Sequence, residues 1–563
     1  MINIVPPAAI FIIGAFLIPL LKGRLKSLYM LLLPVLAFID LLNMAKGKYW
    51  IVKFLDYNLI FGRVDNLSMV FGYIFVLITF IGIIYALHVK DDVQHIAAFC
   101  YAGGALGITF AGDLFSLYVF WEILAIASVI LILARRTDRA CKAAFRYFLW
   151  HFFGGSCLLA GIILYVYKRG TPEFGYIGLS DLSTYLIFIG FCLNAVVFPL
   201  HPWLPDAYPE ATVTGAVFMS ALTTKSAVYI LARTFPGEAI LAWAGAFMTC
   251  YPIFYAVIEN DMRRVLGYSI INQVGFMVCG IGIGTQLAIN GAVSHAFVHI
   301  IYKALLFMST GAVLHMTGKI RGTDLGGLYK TMPFTAVCCI IAAASISGFP
   351  LTSGFTTKSM TLTAAAKQHL PIIWFMLYYA SAGVLHHAGI KVPYFTFFGE
   401  DSGIRTKEPP INMRIAMGIA AFICIFLGVY PYPLYKILPY PVDYVPYTAF
   451  HVLSMLQLLM FAALAFTLLI LSGYHPPEMR AVNLDTDWFL RLPGMEFIRL
   501  CKGPLIAFGS FIDKGILKVA YSVISWVRSP ILAMRLTPRA IGLGILGVLV
   551  IFILLSVFFM MII

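Results

Sequence analysis

The chain is a succession of apolar runs, most long enough to cross a bilayer, separated by short polar or basic segments. Reading such runs as spans predicts about sixteen transmembrane helices. Their centres fall near residues 12, 36, 78, 102, 122, 157, 191, 222, 248, 274, 301, 345, 383, 422, 462 and 551. Two runs are interrupted by the same triplet. Phe198-Pro199-Leu200 lies in NAVVFPLHPWLPDAYPEA (194–211), and Phe349-Pro350-Leu351 in ASISGFPLTSGFTTKSM (344–360). Proline removes a helical hydrogen bond, so broken helices are expected at Pro199 and Pro350, in the seventh and twelfth spans. Such breaks are tolerated at membrane depth only when enclosed by protein or lining a wet cavity.

The two breaks are five spans apart. A repeat with an odd number of helices inverts its topology, so two inverted five-helix units are expected, spans 4–8 and 9–13. The organisation read from the chain is then N-terminal membrane helices over 1–90, a first unit over 91–235 and a second over 236–400. Further membrane helices follow over 401–475, an amphipathic segment over 476–538, and the last span over 539–563.

Composition agrees with this pattern and sharpens the class. Of 563 residues, 61% are hydrophobic and only 11% charged, and the mean hydropathy is +0.92. The fold class is an all-α polytopic membrane protein. A formal charge of +14 invites a nucleic-acid reading, and its distribution removes it. Loops after odd-numbered spans carry roughly three times the Lys and Arg of the others, including RRTDRACKAAFR (135–146). That asymmetry puts the basic loops in the cytoplasm and both termini outside, in a cell (inner) membrane, with no nucleic-acid partner.

The same distribution isolates the charges that are not in loops. Three basic residues are expected within spans, Lys225, Lys303 and Lys358, and one carboxylate, Glu122, lies deep in DLFSLYVFWEILAIASVILILA. Asp40 is a weaker candidate near a helix end. In AVSHAFVHIIYKALLF (292–307), His295, His299 and Lys303 recur every fourth residue and climb one helix face, each step rising about 6 Å. An ionisable group at mid-membrane costs at least about 2–3 kcal/mol and marks a functional site by default. The bland alternative is a lysine that snorkels to headgroups, or a buried pair that pins two helices.

Metal and haem are the weaker readings of the histidines. No carboxylate or thiolate accompanies them, both sit on one helix, and the ten cysteines form no CxxC pair. No cofactor is expected and no nucleotide loop is present. The chain is expected to be an ion-transport subunit without its own redox centre, not an enzyme.

The stretches YVFWEIL, HPWLPDAYPEATVTGAVFMSALTTKSAVYILAR, ENDMRRVLGYSIINQVGFM, SHAFVHIIYKALLFMSTGAVLH and SGFPLTSGFTTK resemble the antiporter-like membrane subunits. That family includes the proton-pumping subunits of respiratory complex I and the large subunits of Mrp-type sodium/proton antiporters. The resemblance runs from about residue 65 to 400, and the PDAYPEA and TTKSAVY stretches are most similar to the D-type large subunit of Mrp antiporters. It implies a proton pathway through Glu122 on the fifth helix, Lys225 on the eighth, His295, His299 and Lys303 on the eleventh, and Lys358 on the twelfth. The expected partners are other antiporter-like and small membrane subunits, the lipid bilayer, protons, and Na+ or K+ as coupled ion.

One position departs from the family. Where the resemblance implies a seventh-helix lysine paired with the fifth-helix glutamate, this chain has Asn194, which cannot titrate. Lys225 is the expected replacement partner for Glu122; the alternative is that this half is a scaffold that does not conduct. Near the C-terminus, LIAFGSFIDKGILKVAYSVISWVR (505–528) has apolar residues at helical spacing opposite Ser510, Lys514 and Lys518, between Pro504 and Pro530. It reads as an amphipathic helix of roughly 36 Å that lies at the lipid interface. The alternative is a clamp on a neighbour, like the lateral helix of complex I's distal pumping subunit. The D-type Mrp chains usually lack such an extension.

The function expected is therefore proton translocation by one subunit of an Mrp-type antiporter or a complex I-like redox-driven pump. A non-conducting scaffold subunit, an inorganic-carbon uptake variant and a membrane-embedded transferase using HPWLPD are the alternatives.

Overall fold

The structure, a computed structural model, describes residues 5–474 and, beyond them, positions 476, 478, 479, 483, 485, 486, 488, 493, 496, 499 and 500. The amphipathic segment at 505–528 and the last expected span lie outside the described residues. Residues 1–485 form one unit and residues 486–563 a second; the account below concerns the first.

The chain enters through α1 (Pro7–Leu17) and α2 (Gly23–Asn43), then makes a hairpin of β1 (Gly47–Phe54) and β2 (Tyr57–Val64). The first half continues with α3 (Asn66–Ala86), α4 (Asp92–Phe110), α5 (Leu114–Leu133), α6 (Asp138–Arg169), α7 (Leu182–Asn194) and α8 (Trp203–Ala207). Next come α9 (Gly215–Ala221), α10 (Thr223–Thr234), α11 (Ala239–Ile258), α12 (Met262–Ile283) and α13 (Gln286–Thr317). Then follow α14 (Pro333–Ser347), α15 (Ser353–Lys367) and α16 (Pro371–Val384), which runs on as wider π-helical turns over Leu385–Lys391 and Tyr394–Phe398. The last described helices are α17 (Ile411–Val429), α18 (Tyr432–Lys436) and α19 (Ala449–Leu471).

Among the described residues, eleven helices are long and apolar enough to cross a membrane. The expected spans near 12, 191, 345 and 383 are shorter or interrupted. The chain is helical in all of them, but it is not all-α. The antiparallel hairpin, in register from Gly47 opposite Val64 to Phe54 opposite Tyr57, corrects that expectation. Its strands are rich in aromatic and β-branched residues, KYWIVKF and YNLIFGRV, which favour a pleated conformation over a helix.

Helix ends are set by local chemistry. Asp65, Asp91, Asp113, Thr137, Asp181, Asp261 and Thr285 each accept a backbone N–H of the following first turn, satisfying donors that have no intrahelical partner. Gly170 and Gly318 close α6 and α13 in the left-handed conformation that glycine adopts without steric cost. Both of these helices are 32 residues long. The expected breaks are present: α7 stops at Asn194 before the Phe-Pro-Leu triplet, and α14 and α15 are separated by Gly348–Thr352.

Packing then divides the helices. α12 and α13 are buried along nearly their whole length, whereas α2 and α19 expose Leu28, Leu42, Phe450 and Phe461, as lipid-facing helices do. α11 and α12 approach so closely that a Cβ on Gly275 would meet Gly245 O and Thr249 N at 2.8 Å. The long helix α13 is thus enclosed by protein along nearly its whole length.

Candidate ion-translocation site

Four of the six expected pathway residues come together on α13 and α15. His295, His299 and Lys303 are wholly buried and Lys358 nearly so. His295 Nδ1 lies 3.1 Å from the Thr357 hydroxyl of α15, and its Nε2 lies 3.3 Å from the Tyr302 hydroxyl. Tyr302 in turn donates to Gln273 at 3.0 Å. Lys303 donates to the Ser269 hydroxyl of α12 at 2.8 Å. Lys358 reaches back across the helix break to the Ile346 carbonyl and stands 5.1 Å from the Phe276 ring centre. The unwound turn at Gly348–Thr352 is what leaves that carbonyl free to accept. Both nitrogens of His299 lack a protein partner, and its ring is 6.1 Å from His295 and 5.2 Å from Tyr302.

Lys225, the fifth, joins this group from α10. It is fully buried and acts electrostatically on His295, His299 and Lys303. A discontinuity at Leu222 between α9 and α10 positions it. That turn leaves the Ser220 carbonyl open, and the ammonium donates to it at 2.6 Å and to the Thr224 hydroxyl at 3.0 Å. Nothing in the sequence flagged this break, because it contains no proline.

Glu122 stands apart. It is half-buried on α5, beside the Tyr118 hydroxyl one turn away and against α6 where Gly155 leaves room, since any side chain there would strike its carboxylate. The expected Glu122–Lys225 pair is a correction: among the described residues Glu122 forms no ion pair, and the Lys225 ammonium is spent on Ser220 and Thr224. Asn194 ends α7, where the chain leaves the helix ahead of Pro199. It is buried, with its amide nitrogen unpartnered.

Sequence reading missed three buried polar groups. Lys391 is fully buried in the π-helical continuation of α16, so the tally of span lysines was short by one; HHAGIK (386–391) is the signal. His387, on the same turns, is also fully buried and acts electrostatically with Lys303. His151 lies on α6, 4% exposed. As a single histidine on an amphipathic helix it carries no sequence signal of its own. Among the described residues, no group of three or more His, Cys, Asp or Glu is placed to hold a metal.

Residues 111–383 match the family described as NADH:quinone oxidoreductase/Mrp antiporter, transmembrane. The chain is 33% identical to the D-type subunit of the Na+/H+ antiporter of Alkalihalophilus pseudofirmus over 334 residues, covering 55% of this chain and 66% of the relative. It is 30% identical to NAD(P)H-quinone oxidoreductase chain 5 of a Picosynechococcus species over 387 residues, 62% of this chain and 57% of the relative. The chain thus spans about half to two thirds of the length of the curated relatives it matches. A solved chain of the membrane-bound sulfane sulfur reductase, an archaeal respiratory membrane complex, superposes with a TM-score of 0.71 at 22% identity. The overlap covers 98% of this chain and all of that one, and shows a shared fold. The buried cations Lys225, Lys303 and Lys358 thus sit in the stretch, residues 111–383, that matches the NADH:quinone oxidoreductase/Mrp antiporter family.

Proposed function

We propose that this chain translocates protons, coupled to Na+ or K+ or to redox chemistry elsewhere, as one subunit of a multisubunit membrane complex. The observation that carries the reading is the set Lys225, Lys303 and Lys358 with His295 and His299. All five are buried within electrostatic reach of one another, and none has an ion pair among the described residues. An uncompensated buried cation is costly, and like charges at this range raise that cost. The group therefore cannot hold all its protons at once. A proton arriving at one site favours departure from the next, which is the elementary step of a relay. Hydroxyls of Thr357, Tyr302, Ser269 and Thr224 border the charged groups.

The inverted repeat belongs to the same reading. One constant shift along the chain carries the caps Asp113 and Thr137 to Asp261 and Thr285, and the glycine that ends α6 to the one that ends α13. It also carries the bridge Asp113–Glu173 to Asp261–Arg321. Equal spacing of caps, helix lengths and bridges supports two copies of one architecture, with the domain limits at 91–235 and 236–400, and a pathway between them.

The test is proton flux through the native complex in proteoliposomes, under its own driving force, for Lys303→Ala and Glu122→Gln. Each is expected to lower flux at least tenfold with assembly unchanged, and wild-type flux in both overturns the reading. Imposed Na+ and K+ gradients identify the coupled ion.

A further inference from the structure

We infer that His151 is a proton-carrying residue of the first half, linking Glu122 to Lys225. This deepens the relay reading and rests on it. Glu122 and Lys225 form no ion pair, so any transfer between them needs a proton carrier in the interval. Along α6, His151 lies one turn, about 6 Å, from Gly155, the position against which the Glu122 carboxylate rests. Neither ring nitrogen has a protein partner in normal hydrogen-bond geometry, although the residue is 4% exposed. The ring is held by its flat faces instead, with its centre 4.1 Å from that of Tyr147 and 4.7 Å from that of Trp203. Asn194 approaches it from α7 as a hydrogen-bonding neighbour. A buried imidazole normally satisfies both nitrogens; this one is caged by aromatics, with the Asn194 side chain as its hydrogen-bonding neighbour.

A group of hydroxyls lies between the aromatic cage of His151 and the helix that carries Lys225. Tyr147 and Ser128 are 2.9 Å apart, Tyr147 also meets Thr223, and Thr223 and Tyr101 are 2.6 Å apart. Thr224, the next residue, accepts from the Lys225 ammonium at 3.0 Å. The repeat adds an independent observation. The same shift that superposes the helix caps carries His151 onto His299 and Gly155 onto Lys303. The two halves then hold one design: a buried imidazole on the 32-residue helix, with a charged group at the turn above it. That charge comes from α5 in the first half and from the long helix itself in the second.

In the transfer, one ring nitrogen accepts a proton from the Glu122 carboxyl through water. The other nitrogen releases its own proton toward the Tyr147–Thr223 hydroxyls, leaving a neutral imidazole and a carboxylate. The glutamate is then ready to be protonated again.

The experiment compares coupled proton flux in the native complex for His151→Gln, for the exchange His151→Asn with Asn194→His, and for Lys303→Ala. His151→Gln is expected to lower flux at least tenfold. The exchange, which returns an imidazole to the same space from the facing helix, is expected to recover most of it. A purely structural role for His151 against Tyr147 and Trp203 would not be rescued in this way. Wild-type flux in His151→Gln, or an exchange variant that assembles and conducts no better than His151→Gln, overturns the inference. If His151→Gln fails to assemble, the exchange variant alone decides. Lys303→Ala separates the two readings: flux lost there and kept in His151→Gln sinks only the role of His151, whereas flux kept in both, and in Glu122→Gln, sinks the relay.

Discussion

Lys391 and Glu478 meet 2.9 Å apart, with both side chains almost wholly enclosed. The same ammonium donates to the carbonyls of Ala256 at 3.2 Å and Glu259 at 2.7 Å, and to that of Val257. Close by, Asn483 donates to the Glu259 carboxylate at 3.1 Å, and Asp485 lies 3.2 Å from His201, just past the seventh-helix break. Residues following α19 thus reach back to both the end of α11 and that break. Removing one partner of such a pair leaves an uncompensated charge, at a cost of about 3–5 kcal/mol. Glu478→Gln is expected to lower the thermal midpoint of the purified complex by several degrees. Pairing it with Lys391→Met, which removes both charges, recovers part of the loss.

Ser269 is the hydroxyl that receives the Lys303 ammonium. Ser269→Ala removes an acceptor from a buried charged donor, worth roughly 1–3 kcal/mol. The lysine position is kept, so flux in proteoliposomes is expected to fall several-fold, short of the loss in Lys303→Ala. Equal flux in Ser269→Ala and wild type would show that this contact does not tune the lysine.

Gly275 lies where α12 touches α11 backbone to backbone. Main-chain atoms cannot swing aside, so Gly275→Ala forces the helices apart, and overpacking of this kind costs about 1–3 kcal/mol. The accumulated level and thermal midpoint of the variant are expected to drop. Gly418→Ala is the control, because its new methyl would meet only the Phe334 ring edge at 3.6 Å and should be silent.

Asp65 caps α3 and holds Arg233 of α10 through two hydrogen bonds, at 2.7 and 2.8 Å. Burial alone would raise its pKa, but the hydrogen bond and charge of Arg233, with the Ser68 amide, hold it below the ordinary carboxylate value. A carboxyl whose folded pKa is lowered stabilises the fold above its unfolded value, near about 3.9. That stabilisation is lost as pH falls through the lower folded value. Thermal stability should therefore decline as pH drops below about 4, with a smaller decline in Asp65→Asn. Partial exposure of the carboxylate keeps the difference small.

How much was legible in advance follows from the range over which each signal acts. The ladder of His295, His299 and Lys303 needed only the pitch of a helix, so spacing placed those side chains on one face, and burial of α13 put them at the core. The breaks at Pro199 and Pro350 were legible because proline acts on its own backbone. The break at Leu222 was not, nor were the π-helical turns around Lys391, because there the neighbouring helices set the backbone. The β1–β2 hairpin escaped because its residues are apolar enough to pass for the flank of a span, although their aromatic and β-branched bias was visible.

By itself, the amino-acid order determined the membrane class, the positions of most spans, the two proline breaks and several of the ionisable groups that end up buried. Each depends on interactions within a turn or two of chain, or on the free energy of moving one segment out of water. Which buried groups face one another was decided only in three dimensions. Glu122 rests against α6 and not against Lys225, Lys225 turns to Ser220, and His151 comes to lie beside Asn194. Those relations join helices far apart in sequence, and their positions come from close approach at glycines such as Gly155 and Gly275, which no local pattern encodes.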